Sequence, residues 1–149
     1  MNGAIEPSEA HRYFLLRPSV DKCLEYFEAG TFFMLYGPRG AGKTTAALHA
    51  LEEAAELGWC GLVVDMSNLD TSSSAAECWA EFGRLLAGDA AAQGLQLPPI
   101  TSAATFRAAF FRNSIMGKRV ILMLDEFDML DEAPAAFKTT VSSTSALFW

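Results

Sequence analysis

Apolar positions along the chain follow two periods. Val20, Cys23, Leu24 and Phe27 recur at i, i+3, i+4 and i+7, which predicts a short amphipathic helix capped by Ser19 and stopped by Gly30. Thr31 to Tyr36 is a run of strand length, apolar after its first residue and closed by a glycine. It predicts a first strand, covered on both faces in a parallel sheet. From Lys43 to Leu57 a second helix is expected, with Ala47, Leu48, Leu51, Ala54 and Ala55 on its core stripe and Gly58 as its stop. Gly61 to Asp65 reads as a second buried strand. The serines 72–74 then open a helix with a Ser74/Glu77 capping box and a core stripe of Cys78, Phe82, Leu85 and Leu86.

Residues 88–102, with Gly94, Pro98 and Pro99, sustain neither period and read as a long surface connection. A helix with Phe106, Phe110 and Ile115 inward follows, ended by Gly117. Val120 to Leu124 predicts a third buried strand closing on Asp125-Glu126. Pro134 to Thr144 reads as a helix with Phe137 and Val141 on one face. The alternation of strands and helices assigns the α/β class: a three-layer parallel sheet with flanking helices and right-handed crossovers. No internal repeat is visible.

Composition narrows the class of partner. A chain of 149 residues is expected to form one domain, 1–149, with 1–17 as a lead-in, and 51% hydrophobic against 19% charged residues lies in the globular range. A net charge of -7 and a pI near 4.7 repel a phosphate backbone and give nucleic-acid binding no support. The basic stretch Arg107, Arg112, Lys118 and Arg119 reads as a solvated helix face leading into a strand. Three widely spaced cysteines, Cys23, Cys60 and Cys78, make neither a disulfide framework nor a zinc site and read as small buried hydrophobes. With no apolar run of spanning length and no leader pattern at the N-terminus, the expectation is a soluble protein of the reducing cytoplasm.

The chemistry is concentrated in Gly37-Pro38-Arg39-Gly40-Ala41-Gly42-Lys43-Thr44. The pattern G-x-x-x-x-G-K-[ST] arises by chance in roughly one in a few hundred chains of this length. Here it also lies between a predicted strand and a predicted helix, the context a phosphate-binding loop requires. Gly37, Gly40 and Gly42 let the backbone turn its N–H groups inward around a phosphate, at the positive end of the following helix. Lys43 brings a point charge to the β- and γ-phosphates, and the Thr44 hydroxyl is placed to ligate Mg²⁺. Pro38, Arg39 and Ala41 belong to the same loop, Arg39 as a solvent-facing side chain. Thr45 extends the anion-binding first turn, and His49 reads as a helix-face residue.

Magnesium held by phosphates needs one or two further oxygens from the protein. Asp125, after five apolar residues, suits that metal-binding role, and Glu126 beside it is a candidate to polarise an attacking water. Asp65, at the end of the second strand, is a weaker candidate for the same neighbourhood.

With the Walker A loop at 37–44 and an apolar-D-E Walker B strand at 120–126, the chain resembles the P-loop NTPases with a glutamate beside the Walker B aspartate, among them the AAA+ and STAND groups. The wording of residues 35–45 and 124–128 is similar to archaeal-type STAND ATPases and to the NTPase modules of Crinkler-type proteins. The resemblance implies Mg-dependent binding of ATP or another NTP with hydrolysis, Lys43 and Glu126 being catalytic. It also implies a further strand, a sensor, an arginine finger and a helical lid after Asp125. Only a helix is legible there, so the fold is expected to be incomplete at its C-terminus. Two roles stay open: an ATPase or nucleotide switch, and a nucleotide-binding or interaction module with little or no hydrolysis. A homo-oligomer or a protein partner is compatible with either; a small kinase of the other P-loop branch is the remoter alternative.

Overall fold

The computed structural model of the protein describes residues 17–31, 33–110 and 118–144; the rest of the lead-in, Phe32, Arg112, Ile115 and Gly117 lie outside them. The chain divides into two compact units, Met1–Gly61 and Leu62–Trp149.

In the first unit, helix α1 (Arg17–Ala29) packs against helix α2 (Lys43–Glu56). Val20, Cys23 and Phe27 of α1 are buried, as are Ala46, Ala47, Ala50, Leu51 and Ala54 of α2. The buried face of α2 is rotated from the expected stripe: Leu48 is half-buried and Ala55 exposed. The alanines of this helix spread over about half its circumference, so periodicity alone could not single out one stripe among them. The expected Ser19 cap is also corrected. The helix already includes Arg17 and Pro18, a first turn tolerating a proline because its missing N–H has no acceptor to lose.

Both glycine stops hold, and by one mechanism. Gly30 and Gly58 adopt left-handed φ values of 64° and 81°. After α1, Gly30 donates to Phe27 O at 3.2 Å and Thr31 to Tyr26 O at 3.0 Å; after α2, Gly58 donates to Ala55 O and Trp59 to Ala54 O. These paired bonds satisfy the last helical carbonyls, and a side chain at the glycine would strain the turn.

The first predicted strand is not observed. Phe33 to Tyr36 carry no regular secondary structure, and Met34, Leu35 and Tyr36 are 42%, 37% and 82% exposed. Among the described residues there is one sheet, of two strands, and this segment is in neither. A strand is held by hydrogen bonds from a neighbour, which local composition cannot supply.

That sheet pairs β1 (Cys60–Asp65) with β2 (Val120–Asp125) in parallel, so the class is α/β with two strands rather than three. Between them run α3 (Ala75–Ala92) and α4 (Ala103–Phe110), and α5 (Ala135–Thr144) follows and packs on both helices. Cys60, Leu62 and Val64 of β1 are buried. In β2 only Ile121 is, the other five being half-buried, which is less cover than the apolar run predicted. The Val63 N–H is taken by the Asp89 carboxylate of α3 at 3.0 Å rather than by a strand, a side-chain plug on the edge of β1.

The core of this unit is aromatic. Phe82, Phe106 and Phe137 are fully buried, each contributing on the order of 2–3 kcal/mol by removal from water. Trp79 closes the cluster edge-on to Phe137, ring centroids 4.8 Å apart. Phe110 is half-buried against Phe106, while Val141 joins Phe137 in the core as the helical pattern predicts. α3 is longer than the pattern predicts, running through Gly88 to Ala92 and ending at Gly94 (φ 72°), so that the first residues of the expected connection 88–102 are helical. Nothing lies within 4 Å of a Cβ added at Gly88, so that glycine costs helix propensity without breaking the helix.

The capping box is present in both halves: Ser74 Oγ accepts from Glu77 N at 3.3 Å, and Glu77 Oε2 accepts from Ser74 N at 2.9 Å. The Ser74 hydroxyl, which donates to Glu77 Oε2 at 2.7 Å, and then the Ser74 N–H hold the Glu77 carboxyl below the usual glutamate range. A lowered folded-state pKa means that this contribution is present above the ordinary glutamate pKa and is lost as pH falls through the folded value. Ser74→Ala is expected to destabilise the protein by about 1 kcal/mol at neutral pH and less in acid, read from urea midpoints at the two pH values.

Cys23, Cys60 and Cys78 are free thiols and buried, as expected. Burial pushes the Cys23 thiol up to about 11 and raises that of Cys78, so neither is a ready nucleophile. No helix among the described residues is long and apolar enough to cross a membrane.

Candidate functional site

The loop between the exposed run 33–36 and α2 is shaped by its glycines. Gly37, Gly40 and Gly42 adopt φ values of 155°, 78° and 79°, which side-chain-bearing residues rarely take. Ala41 N donates to Pro38 O at 3.2 Å, closing a tight turn within the loop. Gly42 is then the N-cap of α2 and has no side chain to cap it, while its carbonyl accepts the first helical bond from Ala46 at 2.9 Å. The loop therefore delivers the chain to a helix N-terminus whose first-turn N–H groups have no intrahelical acceptor.

Lys43 folds back over this turn. Its Nζ donates to Gly37 O at 2.8 Å and to Pro38 O at 2.9 Å, tying the first helical residue to the loop entrance. An ammonium has three donors, so two hold the curl and one is left for another oxygen. The cradle thus carries a fixed positive charge beside a helix N-terminus, an arrangement suited to an oxyanion.

The remaining loop residues divide by exposure. Arg39 and Ala41 are exposed, Thr44 is half-buried, and Thr45 is 2% exposed, which places its side chain in the core and leaves its backbone to the first turn. His49 stays on the flank of α2, its Nδ1 3.6 Å from Glu52 Oε2 and without a hydrogen bond. It is a helix-face residue, as read from the sequence.

The second group of candidates ends the parallel sheet of the second unit. Asp125 is the half-buried last residue of β2, and its Oδ1 accepts from Glu126 N at 3.0 Å. Glu126 is exposed and left-handed, φ 51° and ψ 44°, the sole non-glycine with positive φ among the described residues. Strand alternation therefore stops at Asp125, and the chain turns into a short 3-10 helix, Phe127–Glu132, rather than a loose acidic loop. A β-carbon in this region costs about 1–2 kcal/mol, strain that collects at functional positions. No sequence pattern announced it.

Asp65 ends β1, the neighbour of β2, and one oxygen of its exposed carboxylate is engaged. It accepts from Ser67 N at 2.9 Å and from Ser67 Oγ at 2.6 Å, capping the short 3-10 helix Met66–Asn68. Its role is local. No group of three or more His, Cys, Asp or Glu that could hold a metal occurs among the described residues, so any cation at Asp125 would draw its other ligands from hydroxyls, water or a bound ligand.

Against known proteins, a family model described as an AAA domain matches residues 27–146. The matched span takes in the glycine loop, the sheet and the acidic strand end. No curated protein matches the chain, and no solved structure does.

Proposed function

Since the chain belongs to the AAA domain family, we propose that it binds ATP or a related nucleoside triphosphate together with Mg²⁺ and hydrolyses it, as an ATPase or nucleotide switch. The observation carrying this reading is the curl of residues 37–43, in which three positive-φ glycines and the doubly bonded Lys43 ammonium form a cationic cradle at the start of α2.

The residues present fit the two groups chemically. Backbone N–H groups of the glycine loop and the start of α2 suit phosphate oxygens, with Pro38, Arg39 and Ala41 shaping the loop; the Thr44 hydroxyl and Asp125 carboxylate are the hard oxygen donors that Mg²⁺ prefers. When bound, the metal offsets charge on the β- and γ-phosphate oxygens. Lys43 offsets the negative charge that builds on the transferred phosphoryl group, using the donor that Gly37 and Pro38 leave open. Glu126 orients the attacking water and accepts its proton. The finer likeness we propose, to archaeal-type STAND ATPases and Crinkler-type NTPase modules, rests on the wording of the two motifs.

A binding or interaction module with little hydrolysis is the second reading. It is favoured by the unpaired state of the run 33–36 ahead of the loop, which leaves the cradle without a strand behind it.

Calorimetric titration with Mg-ATP and a phosphate-release assay separate the readings. Binding with release that Glu126→Gln abolishes is expected; binding with no release selects the second reading, and no binding at millimolar nucleotide overturns both. Glu126→Gly should also lose release while melting higher, gaining about 0.5–1 kcal/mol by relief of the left-handed strain. A residue that costs stability and is needed for turnover is the pattern expected of a catalytic position.

A further inference from the structure

We infer that Tyr26 is a positioning residue for the phosphate loop, acting through Phe33, which stacks on it and ties the loop entrance to helix α1. The inference rests on the nucleotide reading for its ligand; the tie itself is a property of the free chain.

The turn after α1 returns the chain to that helix. Thr31 N donates to Tyr26 O at 3.0 Å and Gly30 N to Phe27 O at 3.2 Å, with Gly30 left-handed at φ 64°. Phe33 then meets the side chains of the same two residues. Its ring lies 4.7 Å from that of Tyr26 between centroids, with 27° between the planes, and 5.7 Å from that of Phe27. Tyr26 and Phe27 thus take both the backbone of the turn and the ring that follows it. On the preceding turn of α1, the Lys22 ammonium lies 5.1 Å from the centroid of the Tyr26 ring.

Both ends of the loop are therefore held by two helices that pack on each other. The exit is the first turn of α2, where Lys43 binds Gly37 O and Pro38 O. The entrance is in no strand ladder among the described residues, and Phe33 is its point of contact with α1. α1 in turn packs on α2 and is joined to it by the Arg17–Glu53 ion pair. Between the two holds lie Met34, Leu35 and Tyr36, so Phe33 and Gly37 are at most about 14 Å apart. Without the stack, the chain from the Gly30 turn to Gly37 loses a fixed point, and closing the loop around a phosphate must order that segment as well. Tyr26 is the residue to change because Phe27 is buried in the helix pair, whereas Tyr26 is half-buried and its stack can be removed without opening that core.

Trypsin cleavage and calorimetry on the full chain test this. In the nucleotide-free protein, cleavage after the exposed Arg39 reads the order of the loop, and cleavage after Lys22, within α1, reads opening of the helix pair. Tyr26→Ala is expected to speed cleavage after Arg39 about threefold to tenfold, the weight of an aromatic pair, with cleavage after Lys22 unchanged, and to weaken Mg-ATP binding by a similar factor. Tyr26→Phe, which keeps the stack, should match wild type in all three readings. Phe33→Ala should reproduce Tyr26→Ala, and the double variant should be no worse than either, since all three lack the same contact. Cleavage after Arg39 that does not change in Tyr26→Ala, or that rises together with cleavage after Lys22, overturns the inference. So do additive losses in the double variant, or an unchanged affinity in Tyr26→Ala where wild type binds. Absence of Mg-ATP binding in every protein, wild type included, overturns the nucleotide reading instead, and the two cleavage rates then decide the tie by themselves.

Discussion

Lys43→Ala should lower affinity for Mg-ATP by roughly a hundredfold, in part because it removes the one charge-assisted hydrogen bond that Lys43 has left for a phosphate oxygen, worth about 1.5–3 kcal/mol. A second loss comes from the loop itself. With Nζ gone, the carbonyls of Gly37 and Pro38 lose the donor that draws them toward the start of α2, and the cradle is no longer held in its curl before nucleotide arrives. Lys43→Arg should not rescue binding fully, since a planar guanidinium cannot direct single donors at two carbonyls and a phosphate as an ammonium does. Calorimetry on the three proteins reads the effect. Equal affinity in wild type and Lys43→Ala would remove the basis of the nucleotide reading. Thermal melting should move little, because the loop is exposed and contributes little to the core.

Gly83→Ala is expected to be the most damaging single methyl in the second unit. Gly83 is buried in α3, and a Cβ there would lie 2.0 Å from Ile100 O and 2.9 Å from Ile100 C. The obstruction is backbone, which cannot rotate away as a side-chain tip could. Either α3 moves, disturbing Phe82 and Leu86 beside it, or the connection lifts and takes Ile100, 4% exposed, out of the core. Overpacking of this kind costs about 1–3 kcal/mol when neighbours can adjust and more when they cannot; a loss of about 3 kcal/mol or more is expected from urea unfolding. Gly88→Ala, on the same helix with open space around its added Cβ, should instead be neutral or stabilising by up to about 1 kcal/mol. If the two substitutions proved equal, the close approach of Gly83 to Ile100 would have no energetic meaning.

The contrast between these glycines marks where sequence reading stops. Gly30 and Gly58 were legible as stops because each follows a helical period, and the left-handed turn they enter is a local event. Gly83 and Gly88 sit in one helix with similar local surroundings, and only the return of the chain at Ile100 separates them. The capping box at Ser74 and Glu77 was likewise local, and it is present as read. The rotated face of α2 was not, since its alanines spread over about half the circumference.

The candidate site divides in the same way. Residues 37–44 announce a loop with positive-φ turns and a lysine within reach of its own entrance, because those properties follow from residue type over eight positions. Asp125 was legible as the end of an apolar run. The left-handed backbone at Glu126 and the engagement of Asp65 by Ser67 were not, as both depend on how the chain turns after its strand.

By itself, then, the sequence determined the helices, their glycine stops, the capping box, the phosphate-type loop and the acidic strand end, all set by contacts within a few residues. The tertiary structure decided which apolar runs became strands. Val120–Asp125 found β1 as a neighbour, whereas Phe33–Tyr36, no less apolar, stands without a ladder because a strand exists only by hydrogen bonds donated from elsewhere in the chain or from another chain.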